Sequence, residues 1–204
     1  MATTTPNYGW TVPTSTDLVK DGATAIETLG DAIDASMNTA LGTKKAGMVL
    51  LNTTSFSAVA SASLPANTFS STYTNYRLIV NIDAASTDSQ ILTVRLRAAG
   101  TDATGSNYSW ALVKNAYTTS GTFDGATQTS WIVGNSGVTN ANFAFDLLQP
   151  FNAEPTNISG YAIQSSDIFF VAAKHTLSTS YDSATILIGS GTMTGSYSIF
   201  GYNK

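Results

Sequence analysis

Residues 17–41, DLVKDGATAIETLGDAIDASMNTAL, are the one stretch whose spacing predicts a helix, and nearly everything after them reads at the two-residue period of strands. Within that helix the larger apolar residues recur every seven positions, at Val19, Ile26 and Ile33, followed by the small Ala40. Leu29 completes one pair with Ile26, while the equivalent places elsewhere hold Gly22 and Ser36. A stripe this narrow cannot cover a globular core, but it suits a seam shared with identical helices. Gly22 and Gly30 each cost roughly 1 kcal/mol relative to alanine in a lone helix, so packing between chains is expected to hold this one together. The helix is expected to begin at Asp17 with Ser15 or Thr16 as its cap, and Gly42 fits its stop.

From Met48 onward the period changes. Tyr76, Leu78, Val80 and Ile82 alternate with polar or outward positions, and Leu92, Val94, Leu96 and Ala98 alternate with Thr93, Arg95 and Arg97. Tyr108, Trp110 and Leu112, then Phe143, Phe145 and Leu147, then Tyr197, Ile199 and Gly201, repeat the pattern. Ile168–Val171 and Ile186–Ile188 are continuous apolar runs and read as strands covered on both faces. Turn-forming clusters such as AAGTDATGSN and GSGTMTGS separate the runs. The fold class expected is mainly β: a jelly-roll-like antiparallel β-sandwich over 48–204, preceded by an extended arm (1–16), one coiled-coil-type α-helix (17–41) and a linker (42–47).

Composition narrows the function. Charged residues make up only 11% of the 204 and the formal net charge is −4, against a usual charged share of about 25%. Cationic residues are scattered, so no basic stripe exists to neutralise phosphates and no nucleic-acid partner is expected. Lys44-Lys45, the longest cationic run, sits where it complements the helix C-terminal dipole. With no cysteine, disulfides and thiolate metal sites are excluded. No apolar run approaches the length needed for a membrane span, and the opening MATTTPNYGW does not read as a signal peptide. Synthesis in a cytoplasm, without membrane insertion, is the expectation.

The arm carries Tyr8, Trp10 and Pro13 among six threonines. So short a segment has little of its own to bury two aromatics against. Two seats stand open for them: the helix or body of a neighbouring subunit, or a pocket in a different protein, where the arm would act as an anchor.

The string PNYGWTVPTSTDLVKDGATAIETLGDAID resembles the opening of bacteriophage minor tail and tail-fibre proteins, through Tyr8, Gly9, Trp10, Pro13, Thr16, Asp17, Val19, Asp21, Gly22, Ala25, Ile26, Leu29 and Ala32. The stretch FSAVASASLPANTFSSTYTNYRLIV is similar to the first strands of β-sandwich domains in phage structural proteins. The resemblance implies a homotrimeric virion component, exposed on the particle surface, whose N-terminus docks on other virion proteins of the tail or baseplate and whose distal domain meets the host. It implies neither cofactor nor catalysis. A capsid decoration or head-fibre protein shares the same parts and stays open, as does a free carbohydrate-binding module. A single helix and a single following domain favour a short appendage over a long shaft.

Chemistry is sparsely encoded. The single histidine, His175, lies near Ser178, Ser180 and Asp182, but no Gly-x-Ser-x-Gly turn between strand and helix accompanies it. Asp83, Asp88, Asp102, Asp124, Asp146, Glu154, Asp167 and Asp182 are the carboxylates available for a hydrolytic pair, and most fall in turns. No spacing marks a metal loop. A host-surface glycan is the ligand class best matched to loops that mix aromatics with amides and carboxylates. Tyr117, Phe123 and Trp131 are the expected receptor-facing side chains, with Trp110 assigned to the core by its alternation.

Overall fold

The computed structural model describes residues 3–14, 16, 18–41, 47–116, 120–137, 139–164 and 167–203. The chain divides into two compact units, 1–46 and 47–204.

In the first unit the arm turns back on itself. Strands β1 (Thr3–Thr4) and β2 (Thr11–Val12) pair antiparallel, and the turn is closed by Gly9 N–H donating to the Thr5 carbonyl at 2.9 Å. A 3-10 turn (Val19–Asp21) then leads into α1 (Gly22–Leu41). The helix thus enters later than a Ser15 or Thr16 cap would place it. Leu18 is the extended residue before the first turn and provides no side-chain cap, while the Thr14 and Thr16 hydroxyls lie 3.0 Å apart, bonded to each other. Ser15, Asp17, Gly42 and the Lys44-Lys45 pair lie outside the described residues.

The second unit is an antiparallel β-sandwich. Its strands are β3 (Met48–Val59), β4 (Ser61–Ser63), β5 (Asn75–Ala85), β6 (Ile91–Ala98), β7 (Thr101–Asp102), β8 (Tyr108–Ala116), β9 (Ser120–Gln128), β10 (Trp131–Asn135), β11 (Thr139–Leu148), β12 (Asn157–Gln164), β13 (Asp167–His175), β14 (Ser183–Ile188) and β15 (Met193–Tyr202). Eight of them form one sheet in the order β3-β15-β5-β11-β12-β13-β8-β9. The other sheet runs β10-β6-β14-β4, with β7 added beside β6.

Alternation decides which side chains meet between the sheets. On β6, Leu92, Val94 and Leu96 are buried, while Arg95 and Arg97 point outward. Burying three such side chains contributes roughly 5–9 kcal/mol. The outward Arg97–Asp102 pair at 3.2 Å is partly solvated and adds at most about 1 kcal/mol, so the inward face sets the register. Facing them from the large sheet are Tyr76, Leu78, Val80 and Ile82 of β5 and Phe143, Phe145 and Leu147 of β11. Buried backbone is also satisfied by side chains: the Tyr108 hydroxyl accepts from Leu96 N–H at 3.0 Å and donates to the Ala103 carbonyl at 2.9 Å, tying β8 to the β6–β7 hairpin.

One strand departs from expectation. β14 is buried almost throughout, as a doubly covered strand should be. β13 is not: Phe169 and Val171 face inward, but Ile168 is exposed and Phe170 is 56% exposed. Its outer face looks away from the small sheet. There Phe170 sits between its cross-strand partners Tyr161 and Val113, and Ile168 opposite Ile163, all of them exposed. A continuous apolar run is here a half-covered strand with an uncovered apolar face.

Replacing Tyr108 by Phe strands the Leu96 N–H and the Ala103 carbonyl while leaving the ring in place. We expect a loss of about 1–3 kcal/mol in urea unfolding, with the circular dichroism spectrum of the native protein unchanged.

Candidate functional site

Two features leave apolar chemistry open to a partner, one in each unit.

In the first unit Trp10 lies on the helix, its indole Nε1 donating to Ser36 Oγ at 2.9 Å, and Tyr8 stacks on it with ring centroids 5.1 Å apart. Pro13 lines a hollow with Thr11, Ala25 and Thr28. The arm therefore occupies the side of α1 marked by the half-buried Ala25, Leu29, Ala32 and Ser36, at the i, i+4, i+7, i+11 spacing of one helix face. About 100° further round lies a second line, Ile26, Gly30, Ile33 and Met37, with Val19 a turn and more before it. Val19 is 96% exposed, Ile26 65% and Met37 53%, while Ile33 is half-buried. Of the expected seam residues, Gly22 and Leu29 are half-buried and Ala40 is exposed. The arm has taken the Leu29 side of that seam, and the uncovered stripe is shifted toward Ile26 and Met37. Tyr8 remains largely exposed on top of Trp10.

In the second unit the site is a cleft of about 340 Å³. β10, at one edge of the small sheet, packs against β8, β12 and β13, and β9 extends past it. The inward face of β8 and β9 is left without a full cover. Its floor is Trp110, Leu112 and Lys114 of β8, Phe123 of β9 and Phe169 of β13; Ile91, Ile132 and Asn135 form the opposing wall. Phe123 pairs across the ladder with the buried Leu112, yet is 52% exposed. Trp110 is half-buried and lies across Gly125, its partner on β9, where an added Cβ would come within 2.8 Å of the indole carbons. Glycine at 125 is thus what allows the ring to lie flat against β9. The indole Nε1 has no hydrogen-bond partner among the described residues.

Lys114 supplies the charge. Its Nζ is 2.7 Å from Asp167 Oδ2 and 5.7 Å from the centre of the Phe169 ring, and both partners of the ion pair are partly accessible. The pair is electrically neutral and keeps a donor and an acceptor beside an aromatic floor.

A tight aromatic cluster anchors β8 at its other end. His175 is fully buried, with Tyr108, Tyr181 and Trp131 around it at ring-centroid distances of 4.4, 5.2 and 6.4 Å. The Tyr181 hydroxyl lies 3.4 Å from the imidazole nitrogens. Burial lowers the His175 pKa from its ordinary value, partly offset by a hydrogen bond to the Leu177 backbone, so the ring is held neutral. Ser178 and Ser180 are exposed, and Asp182 is engaged instead with Ala99 N–H at 2.8 Å and the Ser183 hydroxyl at 2.9 Å.

The expected receptor-facing residues separate. Phe123 lines the cleft. Trp131 is 0% exposed, at the centre of the sandwich against Tyr108 and His175, and is corrected to a core residue. Tyr117 lies outside the described residues. Trp110, assigned to the core from its alternation, forms part of the cleft floor. Lys114, Asp167 and Asn135 were missed as a group, because they come from three strands whose pairing no local spacing reveals. Among the carboxylates, Asp102, Asp146 and Asp167 each face an Arg or Lys. Among the described residues no group of three or more His, Asp or Glu side chains could hold a metal ion.

No family model and no curated protein matches the chain. Among solved structures, a galectin from Caenorhabditis elegans is similar over 71% of this chain and 94% of its own, at 13% identity and a TM-score of 0.32. A sucrose-6-phosphate hydrolase from Lactobacillus gasseri matches 76% of this chain at 12% identity and a TM-score of 0.34, the match spanning only 28% of that enzyme. The CBM2 module of the evolved Dit protein of Lactobacillus casei BL23 phage J-1 matches 71% of this chain and 69% of its own, at 7% identity and a TM-score of 0.25.

The His175 environment sets a pH dependence. Unfolded, the imidazole takes up a proton near its ordinary 6.5; folded, it does so only at lower pH. The unfolded state therefore binds more protons below 6.5, so stability is fully present above that pH and falls as pH drops toward the depressed folded value. We expect the melting temperature to decline between pH 7 and 5 in the native protein, and less steeply in His175→Gln, whose side chain does not titrate.

Proposed function

We propose that this chain is a non-enzymatic structural subunit of a bacteriophage virion, a short fibre- or spike-like appendage that assembles as a homotrimer. The single observation that carries this reading is the line of exposed apolar side chains formed by Val19 in the 3-10 turn and Ile26 and Met37 on α1, with the half-buried Ile33 between the last two. A line of large apolar side chains along one side of a helix marks an interaction surface, and identical helices supply a cover with matching spacing. The N-terminal resemblance supplies the class of particle. The exposed Tyr161, Phe170 and Val113 face of the sandwich fits lateral contact between subunits. The largely exposed Tyr8, held on Trp10, is the part of the arm placed to enter a pocket of a tail or baseplate protein, as aromatic anchors do. The sandwich is then the host-facing body.

Two experiments test the parts separately. Ile26→Asp combined with Ile33→Asp places charges within the seam, and sedimentation should then show monomers where the unaltered chain forms trimers. An unchanged sedimentation coefficient would contradict the seam. Removing residues 1–16 should leave the oligomer intact but abolish incorporation into particles, read by mass spectrometry of purified virions; normal incorporation would refute the anchor.

A further inference from the structure

We propose that the cleft between β9 and β10 seats a neutral hexose unit of a surface polysaccharide. The inference rests on the host-facing role proposed for the sandwich and names the chemistry of its ligand.

The floor decides the general class. Trp110 and Phe123 present aromatic surface within one hollow, with the buried Phe169 ring beneath Lys114 and with Ile91 and Ile132 at the wall. Phe123 stays half in water although it lies on the inward face of its sheet, so a ligand that covers it gains apolar burial at about 25 cal/mol per Å². The C–H face of a pyranose ring has the shape and weak polarity to lie on such a floor. About 340 Å³ is near the lower end of the range for small-molecule sites, roughly 300–1,000 Å³, and holds one or two sugar rings rather than a folded peptide.

Polar groups decide the subclass. A wholly apolar ligand would strip water from the Lys114 ammonium and the Asn135 amide and return no hydrogen bonds, which penalises it, the charged group most. Sugar hydroxyls both donate and accept. A sugar hydroxyl can accept from the Lys114 ammonium, which lines the cleft and is held 2.7 Å from Asp167 Oδ2, while another exchanges hydrogen bonds with the Asn135 amide. Because Asp167 already neutralises Lys114, the site offers no net positive charge to a uronic or sialic acid. The carboxylate of such a sugar would compete with Asp167 and be repelled by it, so the neutral ring is favoured. With an overall charge of −4, the chain as a whole adds to that preference.

The test is a titration of the full-length protein with the methyl glycosides of glucose, galactose, mannose, rhamnose and glucuronic acid, followed by saturation-transfer NMR and calorimetry. At least one neutral glycoside is expected to bind, and the glucuronide at least tenfold more weakly. Phe123→Ser, a change at a half-exposed side chain, should weaken that binding at least tenfold while the melting temperature and solution mass stay close to those of the native protein. Lys114→Met should do the same and, by leaving the Asp167 carboxylate unbalanced, widen the discrimination against the glucuronide. Absence of neutral-sugar binding, equal binding of the glucuronide, or binding indifferent to Phe123→Ser would each overturn the proposal. A drop in oligomer mass in Phe123→Ser would overturn it too, by showing that a second copy of the chain fills the cleft. None of these results depends on whether the α1 seam or the arm anchor holds, and failure of the virion reading would show instead in the sedimentation and incorporation experiments.

Discussion

A sheet of eight strands spans roughly 34 Å between its outermost strands, while a layer of four spans roughly 14 Å, at about 4.8 Å per strand. That mismatch shapes the sandwich. The four-stranded path β10-β6-β14-β4 covers the large sheet only in part. Where cover is complete, the core closes around Trp131, Tyr108 and His175; where it ends, at β10, the side chains of β8 and β9 that should be core become the floor of a cleft. Trp110 and Phe123 owe their accessibility to the width of the opposing layer and not to any polarity of their own.

The aromatic cluster and the cleft are two ends of one construction. Tyr108, Trp110, Leu112 and Lys114 follow each other along the inward face of β8. The first is locked by hydrogen bonds to Leu96 and Ala103 and by the rings of Trp131 and His175. That lock fixes the strand beneath β10, and Gly125 lets the next residue, Trp110, lie flat against β9. At the far end the Lys114–Asp167 pair closes the row. One strand thus carries the dry core at Tyr108, a half-exposed indole at Trp110, a buried Leu112, and a partly solvated ion pair at Lys114.

Much of this was legible in the sequence. The two-residue period named the inward face of β5, β6, β11 and β15 correctly, because burial on one face only leaves that signature. Of the residues the seven-residue spacing marks, Val19 and Ile26 are largely exposed while Ile33 is half-buried. Period reports face, however, not cover. Trp131 and Phe123 carry the same local signal, yet one is enclosed and the other open, since the difference lies in which strand of the opposite sheet sits above. The run Ile168–Val171 failed for the same reason: an apolar outer face looks identical, in one dimension, to a covered one. The first helical turn is entered from Leu18, which makes no side-chain cap bond, so no capping signal in the sequence marks the start. The arm's packing against Ser36 rests on a contact across twenty-six positions, which no local pattern encodes.

The virion reading proposed above requires the exposed apolar side chains of the 3-10 turn and α1 to be covered by copies of the same helix. Light scattering on the intact protein during size exclusion, repeated on dilution, measures this directly. A mass near three times 21.3 kDa that persists at low concentration is the expected result. A mass of 21.3 kDa throughout would contradict it.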